Sequence, residues 1–240
     1  MKATVLTLAL AAACFSAAAQ STTTPAAQPT APATTTPAAN SYAGQLGAII
    51  TELMSTGDPV QLAGIAAKLE RAAAVAPTDW LPRYYQSYAL LINVFQSKED
   101  GDVRDKTLDR AEAALAQARK LRGDESELLT LQAYIYQARL GVSPMMRSMK
   151  YSAMVRETVA KAQQLNPANP RASLVEANNV YYTPSMFGGG AEVAKPLYEA
   201  AKLKYAAAKP TNPLLPSWGE RQLLGRLKAY DAATVQVSKK

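Results

Sequence analysis

Tyrosines and a few polar side chains recur at helical spacing along the chain, and these residue types suit binding. A tyrosine offers a broad apolar ring with a polar tip, which suits contact with a peptide or a glycan. The candidate binding residues, chosen by helical register, are Tyr84, Tyr88, Tyr134, Gln137, Arg171, Asn178 and Tyr182. The alternative interpretation is that many of these rings pack against neighbouring helices.

A second group of candidate contact residues is apolar and falls in two predicted connections between helices. Met145 and Met146 lie in one connection, and Met186 and Phe187 lie in the other. Because a methionine side chain adapts to irregular surfaces, these residues are suited to a partner of loosely defined shape. The alternative is that they seal one connection onto the next.

The amino-acid composition gives little support for catalysis or metal binding. The chain has no histidine, the commonest general base and transition-metal ligand, and its single cysteine is Cys14. The acidic residues between Glu99 and Asp105 lack the spacing and the closing glutamate of a helix–loop–helix calcium site, so we expect Asp102 to cap a helix instead. We therefore expect no catalytic residues, no metal and no cofactor, and we predict that the protein is not an enzyme.

The elements that must position the candidate residues are helices joined by tight turns, as the stretch 159–177 illustrates. Asn169 can cap the helix that follows the turn, and Pro170 suits its first position, where no N–H is needed. Ala162 before the turn and Ala177 after it are small. Small residues at such places let two helices approach closely, which a stacked helical hairpin requires.

Two earlier stretches, 69–87 and 115–133, repeat this pattern, and together the three resemble the tetratricopeptide-repeat family. The resemblance rests on small residues at the crossings and on the turn between them: Ala72, Pro77 and Ser87, then Ala118, Gly123 and Ala133. The spacing departs from the family, because the small residues recur after 46 and 44 positions rather than about 34. Met-Phe-Gly-Gly-Gly and Trp-Gly segments similar to those at 186–190 and 218–219 occur in exported bacterial tetratricopeptide-like proteins of unassigned function.

The resemblance implies an all-α fold, a right-handed superhelix (α-solenoid) of about nine antiparallel helices, with an ordinary helical bundle as the alternative. Apolar residues at steps of three and four predict helices at 43–55, 58–75, 79–96, 103–121, 125–140, 149–165, 170–182, 191–208 and 218–231. Such a superhelix would place the tyrosine-containing candidates on its concave face. It would also gather the connections 97–102, 141–148 and 183–190 on one edge, where insertions often mark a binding rim.

The N-terminal part predicts export. Residues 1–19 have a charged start, a short apolar run and a small-residue cleavage pattern, which are typical of a signal peptide. Residues 20–41 are rich in Thr, Ala and Pro and predict a disordered linker, so that the helical-repeat domain spans 42–240. The expected location is periplasmic or secreted, with a lipid anchor at Cys14 as the alternative.

The charge distribution bears on the partner. The formal net charge is +7, and residues 201–240 hold eight Lys or Arg against two Asp or Glu, which favours an anionic envelope surface. Export argues against nucleic acid. The sequence therefore predicts a non-enzymatic module or scaffold that binds a protein or peptide in the cell envelope or outside the cell. The alternative is an accessory protein that binds a small ligand or an anionic envelope polymer.

Overall fold

The computed structural model describes the backbone of residues 41–237 and the side chains of residues 41–232. The signal predicted at 1–19, Cys14 and all but the last residue of the linker predicted at 20–41 lie outside the described residues. The described chain is all-α, with nine α-helices: α1 (Tyr42–Ser55), α2 (Pro59–Val75), α3 (Leu81–Gln96), α4 (Gly101–Lys120), α5 (Glu125–Val142), α6 (Pro144–Leu165), α7 (Pro170–Tyr182), α8 (Ala191–Ala207) and α9 (Glu220–Val237). A short 3-10 helix, Ser185–Phe187, follows α7. None of the described helices is long and apolar enough to cross a membrane.

Caps and prolines set the starts of α2 and α7 as the sequence predicted. The side-chain oxygen of Asn169 accepts hydrogen bonds from the backbone N–H groups of Arg171 and Ala172, and Pro170 occupies the first helical position of α7. Asp58 caps α2 in the same way, ahead of Pro59. These side chains satisfy donors that a helix start leaves without intrahelical partners.

Several predicted boundaries are wrong, including the end of the last helix, which was expected at 231 and lies at Val237. The connection predicted at 141–148 is the single residue Ser143, because Pro144 fits the first turn of α6 while the residue before a proline favours an extended backbone. Asp102 does not cap α4, which begins one residue earlier, after Asp100. Trp218 precedes α9 instead of opening it, so the longest connection in the described chain is 208–219.

Most of the small residues of the repeated stretches are buried, while Ala72 is only partly buried. Ala118, Ala133, Ala162 and Ala177 are fully buried, and Ser126 Oγ donates to the backbone oxygen of Ala162 at 2.9 Å. This distance brings the start of α5 against the end of α6. Successive helices pack on one another, and α3 with α5 and α5 with α7 are also in contact. The right-handed superhelix itself stays a prediction.

Helices α5 and α7 run in the same direction, as two hydrogen bonds between them indicate. Near their starts, Asn169 Nδ2 donates to Glu127 Oε1 at 2.8 Å. Further along, Gln137 Nε2 donates to the backbone oxygen of Val175 at 2.6 Å. The ends of α5 and α7, and therefore the starts of α6 and α8, lie on the same edge of the molecule.

An ion-pair cluster ties α4, α5 and α6 together near that edge. Asp105 accepts from both terminal nitrogens of Arg147, at 2.7 and 2.8 Å, and from Arg139 at 3.2 Å. Arg139 also pairs with Asp109 and Glu112. The hydrogen bonds from Arg147 lower the pKa of the Asp105 carboxyl below its usual value. The acidic residue Asp105 therefore serves a helix-to-helix contact.

Candidate functional site

Trp218 fills the space beside the tyrosines of α3 and α5. Its ring stacks on Tyr88, with centroids 4.9 Å apart, and on Tyr134, at 5.5 Å. Its indole N–H donates to Tyr84 Oη at 2.8 Å. All four aromatic side chains are buried. Tyr84, Tyr88 and Tyr134, predicted as binding residues, therefore do not present open rings to solvent.

A polar network continues from Tyr84 into the core. The Tyr84 hydroxyl donates to Glu127 Oε2 at 3.1 Å, while Arg171 forms two hydrogen bonds with the same carboxylate, at 2.6 and 2.8 Å. Burial raises the pKa of Tyr84 well above its usual value and raises that of Tyr134 to about 12. The phenols stay neutral near pH 7, and the arrangement is that of a satisfied structural network.

The segment before α9 covers this aromatic face. Tyr85 Oη donates to the backbone oxygen of Leu214 at 3.0 Å, and Tyr205 Oη donates to that of Trp218, also at 3.0 Å. Tyr134 Oη donates to Gln222 at 3.1 Å. Sequence reasoning missed this covering role of 208–219. The available signal was a tryptophan, one of two in the chain, inside a long proline-containing stretch.

The other predicted binding residues divide between structural and exposed positions. Gln137 links α5 to α7, Arg171 pairs with Glu127, and Asn178 accepts a hydrogen bond from Tyr198 at 2.8 Å. Tyr182, at the end of α7, is 68% exposed. That these residues contact a partner stays a prediction, and Tyr182 is the member whose ring is open to solvent.

Five exposed apolar side chains follow shortly after the ends of α5 and α7. They are Met145, Met146, Met149, Met186 and Phe187, hereafter the apolar edge, and their exposures run from 73 to 96%. The three methionines before residue 150 stand on the first two turns of α6, so the prediction that Met145 and Met146 lie in a loop is wrong. Met186 and Phe187 stand on the 3-10 helix after α7. Concentrated exposure of large apolar side chains is typical of a binding surface.

Beside the apolar edge stands a cluster of tyrosines with two cations, hereafter the aromatic–cation cluster. The Arg226 guanidinium lies 4.0 Å from the ring centroid of Tyr181 and donates to Tyr182 Oη at 2.9 Å. Lys195 Nζ lies 5.8 Å from the ring centroid of Tyr230. Tyr182 is three residues from the 3-10 helix that carries Met186 and Phe187, so the cluster adjoins the apolar edge.

A groove lies between α1 and α2. Tyr42, Ile49 and Val75 supply apolar lining, Lys68 and Arg71 supply charge, and the groove has a volume of about 240 Å³. Typical ligand pockets have roughly 300–1,000 Å³. Lys68 is also engaged by Glu52, at 2.7 Å. The groove is therefore smaller than most ligand sites, and one of its cations already has a partner.

Comparison with known proteins gives one informative result. No protein-family model matches the chain, and no curated protein sequence matches it either. Among solved structures, the HusA haemophore from Porphyromonas gingivalis matches with a TM-score of 0.73 and 36% sequence identity. The match covers 82% of this chain and 96% of that one. Identity at this level over nearly the whole of the other protein shows that the chain belongs to the same family as the HusA haemophore.

Proposed function

We propose that this chain is an accessory protein that binds a small ligand, and that the ligand is haem or a related porphyrin. The observation that carries the proposal is the match to a haemophore over nearly its whole length. It favours the small-ligand alternative from the sequence over the protein- or peptide-binding module. The absence of histidine and of a candidate catalytic cluster in the sequence agrees with binding rather than chemistry.

The apolar edge is the surface that we assign to the ligand. A porphyrin is a flat, largely apolar ring, so its affinity comes mainly from apolar area removed from water. Met145, Met146 and Met149 on α6, with Met186 and Phe187 beyond α7, offer such area, and thioether side chains adjust to a rigid plate. Phe187 and Tyr182 supply faces or edges for aromatic contact with the ring.

Iron ligation by histidine is excluded by composition, since the chain has none. Methionine sulfur at the apolar edge and the hydroxyl oxygen of Tyr182 in the aromatic–cation cluster are side-chain atoms that can ligate haem iron. Ring burial does not need the iron, so the same edge should also take a metal-free porphyrin.

The proposal also includes an exported location and a tetratricopeptide-like superhelix. A haem-capturing protein acts where haem is met outside the cytoplasm, which agrees with the signal predicted at 1–19 and with an exported, periplasmic or secreted protein. The tetratricopeptide-like superhelix is supported by the common direction of α5 and α7 and by the buried small residues at 118, 133, 162 and 177.

Titration of the purified chain with haemin and with protoporphyrin IX tests the proposal. We expect saturable binding of both, read as a change in haemin absorbance and as porphyrin fluorescence. Uptake that does not saturate, and that equals the uptake by a denatured sample, would contradict the proposal because it would reflect total apolar surface alone. Size-exclusion chromatography of the saturated sample checks that ligand and folded protein migrate together.

A further inference from the structure

Arg226 is held in place without an acidic partner. The central carbon of its guanidinium lies 4.0 Å from the ring centroid of Tyr181, and one guanidinium nitrogen donates to Tyr182 Oη. Among the residues whose side chains are described, the ion pairs engage Lys68, Arg119, Arg139, Arg147 and Arg171, and none engages Arg226 or Lys195. A fixed guanidinium with no carboxylate on it is suited to receive one from a ligand.

Three contacts of Tyr230 fix the helix that carries Arg226 against α7 and α8. Tyr230 Oη donates to the backbone oxygen of Ala191 at 2.6 Å, at the first residue of α8. Tyr230 also packs at 6.3 Å from Tyr181 and at 6.2 Å from Tyr198, between ring centroids. The rings therefore hold Arg226 against Tyr181 and Tyr182, and Lys195 against Tyr230. Burial raises the pKa of Tyr230, and the charge of Glu192 on α8 adds to this shift.

We propose that Arg226, assisted by Lys195, binds the carboxylate groups of the ligand whose apolar ring lies on the apolar edge. This inference rests on the proposed function and adds a chemical class: a flat apolar molecule that carries free carboxylates at its rim. The planar fork of Arg226 can pair with a carboxylate through two hydrogen bonds, and Lys195 adds a second positive charge. Haem and protoporphyrin, with their two propionates, belong to this class. Their methyl esters do not.

The test compares protoporphyrin IX with its dimethyl ester, each added from a fixed small fraction of dimethyl sulfoxide, on the wild-type chain and on three variants. For Arg226→Gln we expect about tenfold weaker binding of the diacid and unchanged binding of the ester, since a charged hydrogen-bonded pair contributes about that factor. Lys195→Gln should show the same pattern with a smaller loss. Lys228→Gln removes the same charge from an exposed position of α9 outside the cluster and should bind both ligands as the wild type does.

Each outcome separates the two proposals. Tight binding of the diacid and the ester with equal affinity by the wild type would overturn the role of Arg226 and leave porphyrin binding intact. Equal weakening of both ligands by Arg226→Gln would also overturn it, because loss of the stacked cation would then act through the shape of the cluster. Failure of the wild type to bind either ligand would overturn the proposed function and this inference with it. Circular dichroism melts of the variants check that the fold is retained.

Discussion

Trp218 Nε1 donates a 2.8 Å hydrogen bond to Tyr84 Oη across 134 positions of the chain. The bond joins the last connection of the fold to its third helix, and the indole ring stacks between Tyr88 and Tyr134. A buried aromatic ring of this size contributes a large apolar area. The connection before α9 is therefore part of the core, and the face that tyrosine spacing marks for binding is closed by the chain itself.

Replacing Trp218 with alanine should lower the free energy of unfolding by about 3 to 5 kcal/mol, since it removes a large buried ring. Trp218→Phe keeps most of the packing but leaves the Tyr84 oxygen without its donor, so a smaller loss of about 1 to 2 kcal/mol is expected. Urea denaturation followed by circular dichroism measures both. Leu224→Ala on the exposed side of α9 is the control, and a loss there as large as that of Trp218→Ala would contradict the assigned role.

The buried pair of Glu127 and Arg171 makes a second stability prediction. Removing one partner by Arg171→Met leaves the Glu127 carboxylate buried without its counter-charge, and the expected cost is about 3 to 5 kcal/mol. The double variant Glu127→Gln with Arg171→Met should be less destabilised than the sum of the two single variants. Additive losses in a double-mutant cycle would mean that the two side chains do not act as a unit.

Local sequence signals predicted the helices well, but they did not predict that the connection before α9 packs over the tyrosines of α3 and α5. The start of α7 followed from Asn169 and Pro170 because capping is decided within a few residues. The covering of Tyr84 by Trp218 depends on a contact between distant parts of the chain, which no local pattern encodes. The single-residue connection at Ser143 was missed because the methionines after it were interpreted as loop residues.

In the candidate site, too, features set by local sequence were predicted and features set by contacts between distant helices were not. Met186 and Phe187 lie in the connection that the sequence predicted after α7, and their side chains are exposed. That they contact a partner stays a prediction. Arg226 was counted only as part of a basic C-terminal region. Its place over Tyr181 depends on the docking of α9 against α7, which the sequence pattern did not indicate.

The hydrogen bonds from Arg147 to Asp105 predict a pH-dependent contribution to stability. The pKa of Asp105 is lowered in the folded state, so the contribution is fully present above the unfolded-state pKa and is lost as pH falls through the folded-state value. Arg147→Met should therefore be less stable than the wild type at pH 7, and the difference should shrink below about pH 4. Urea denaturation at several pH values measures it. A difference that stays constant down to pH 2 would point to lost packing of the arginine stem instead.

Truncation of the apolar edge should weaken porphyrin binding without unfolding the protein. The double variant Met186→Ala with Phe187→Ala removes two exposed side chains, so stability should change little while affinity falls about tenfold or more. Leu203→Ala is the matched control, because Leu203 on α8 is as exposed as Phe187, at 73%. Fluorescence titration with protoporphyrin IX reports the affinities. Retained affinity in the edge variant, together with a loss in Arg71→Gln, would move the site to the groove between α1 and α2.

Two glycines just before and within α9 should respond to alanine in opposite directions. Gly219 has a φ of 105°, and a Cβ there would lie 2.7 Å from Leu174 Cδ2 and closer still to the Tyr205 hydroxyl. Gly219→Ala should therefore destabilise the chain by about 2 kcal/mol or more, through backbone strain and through displacement of the bond from Tyr205 to Trp218. Gly225 lies inside α9 with open space around its Cβ position, so Gly225→Ala should stabilise by about 0.5 to 1 kcal/mol. Thermal and urea denaturation of the two variants side by side provide the measurement. If the two variants changed stability equally and in the same direction, the left-handed backbone conformation at Gly219 would not be needed to place Trp218 in the core.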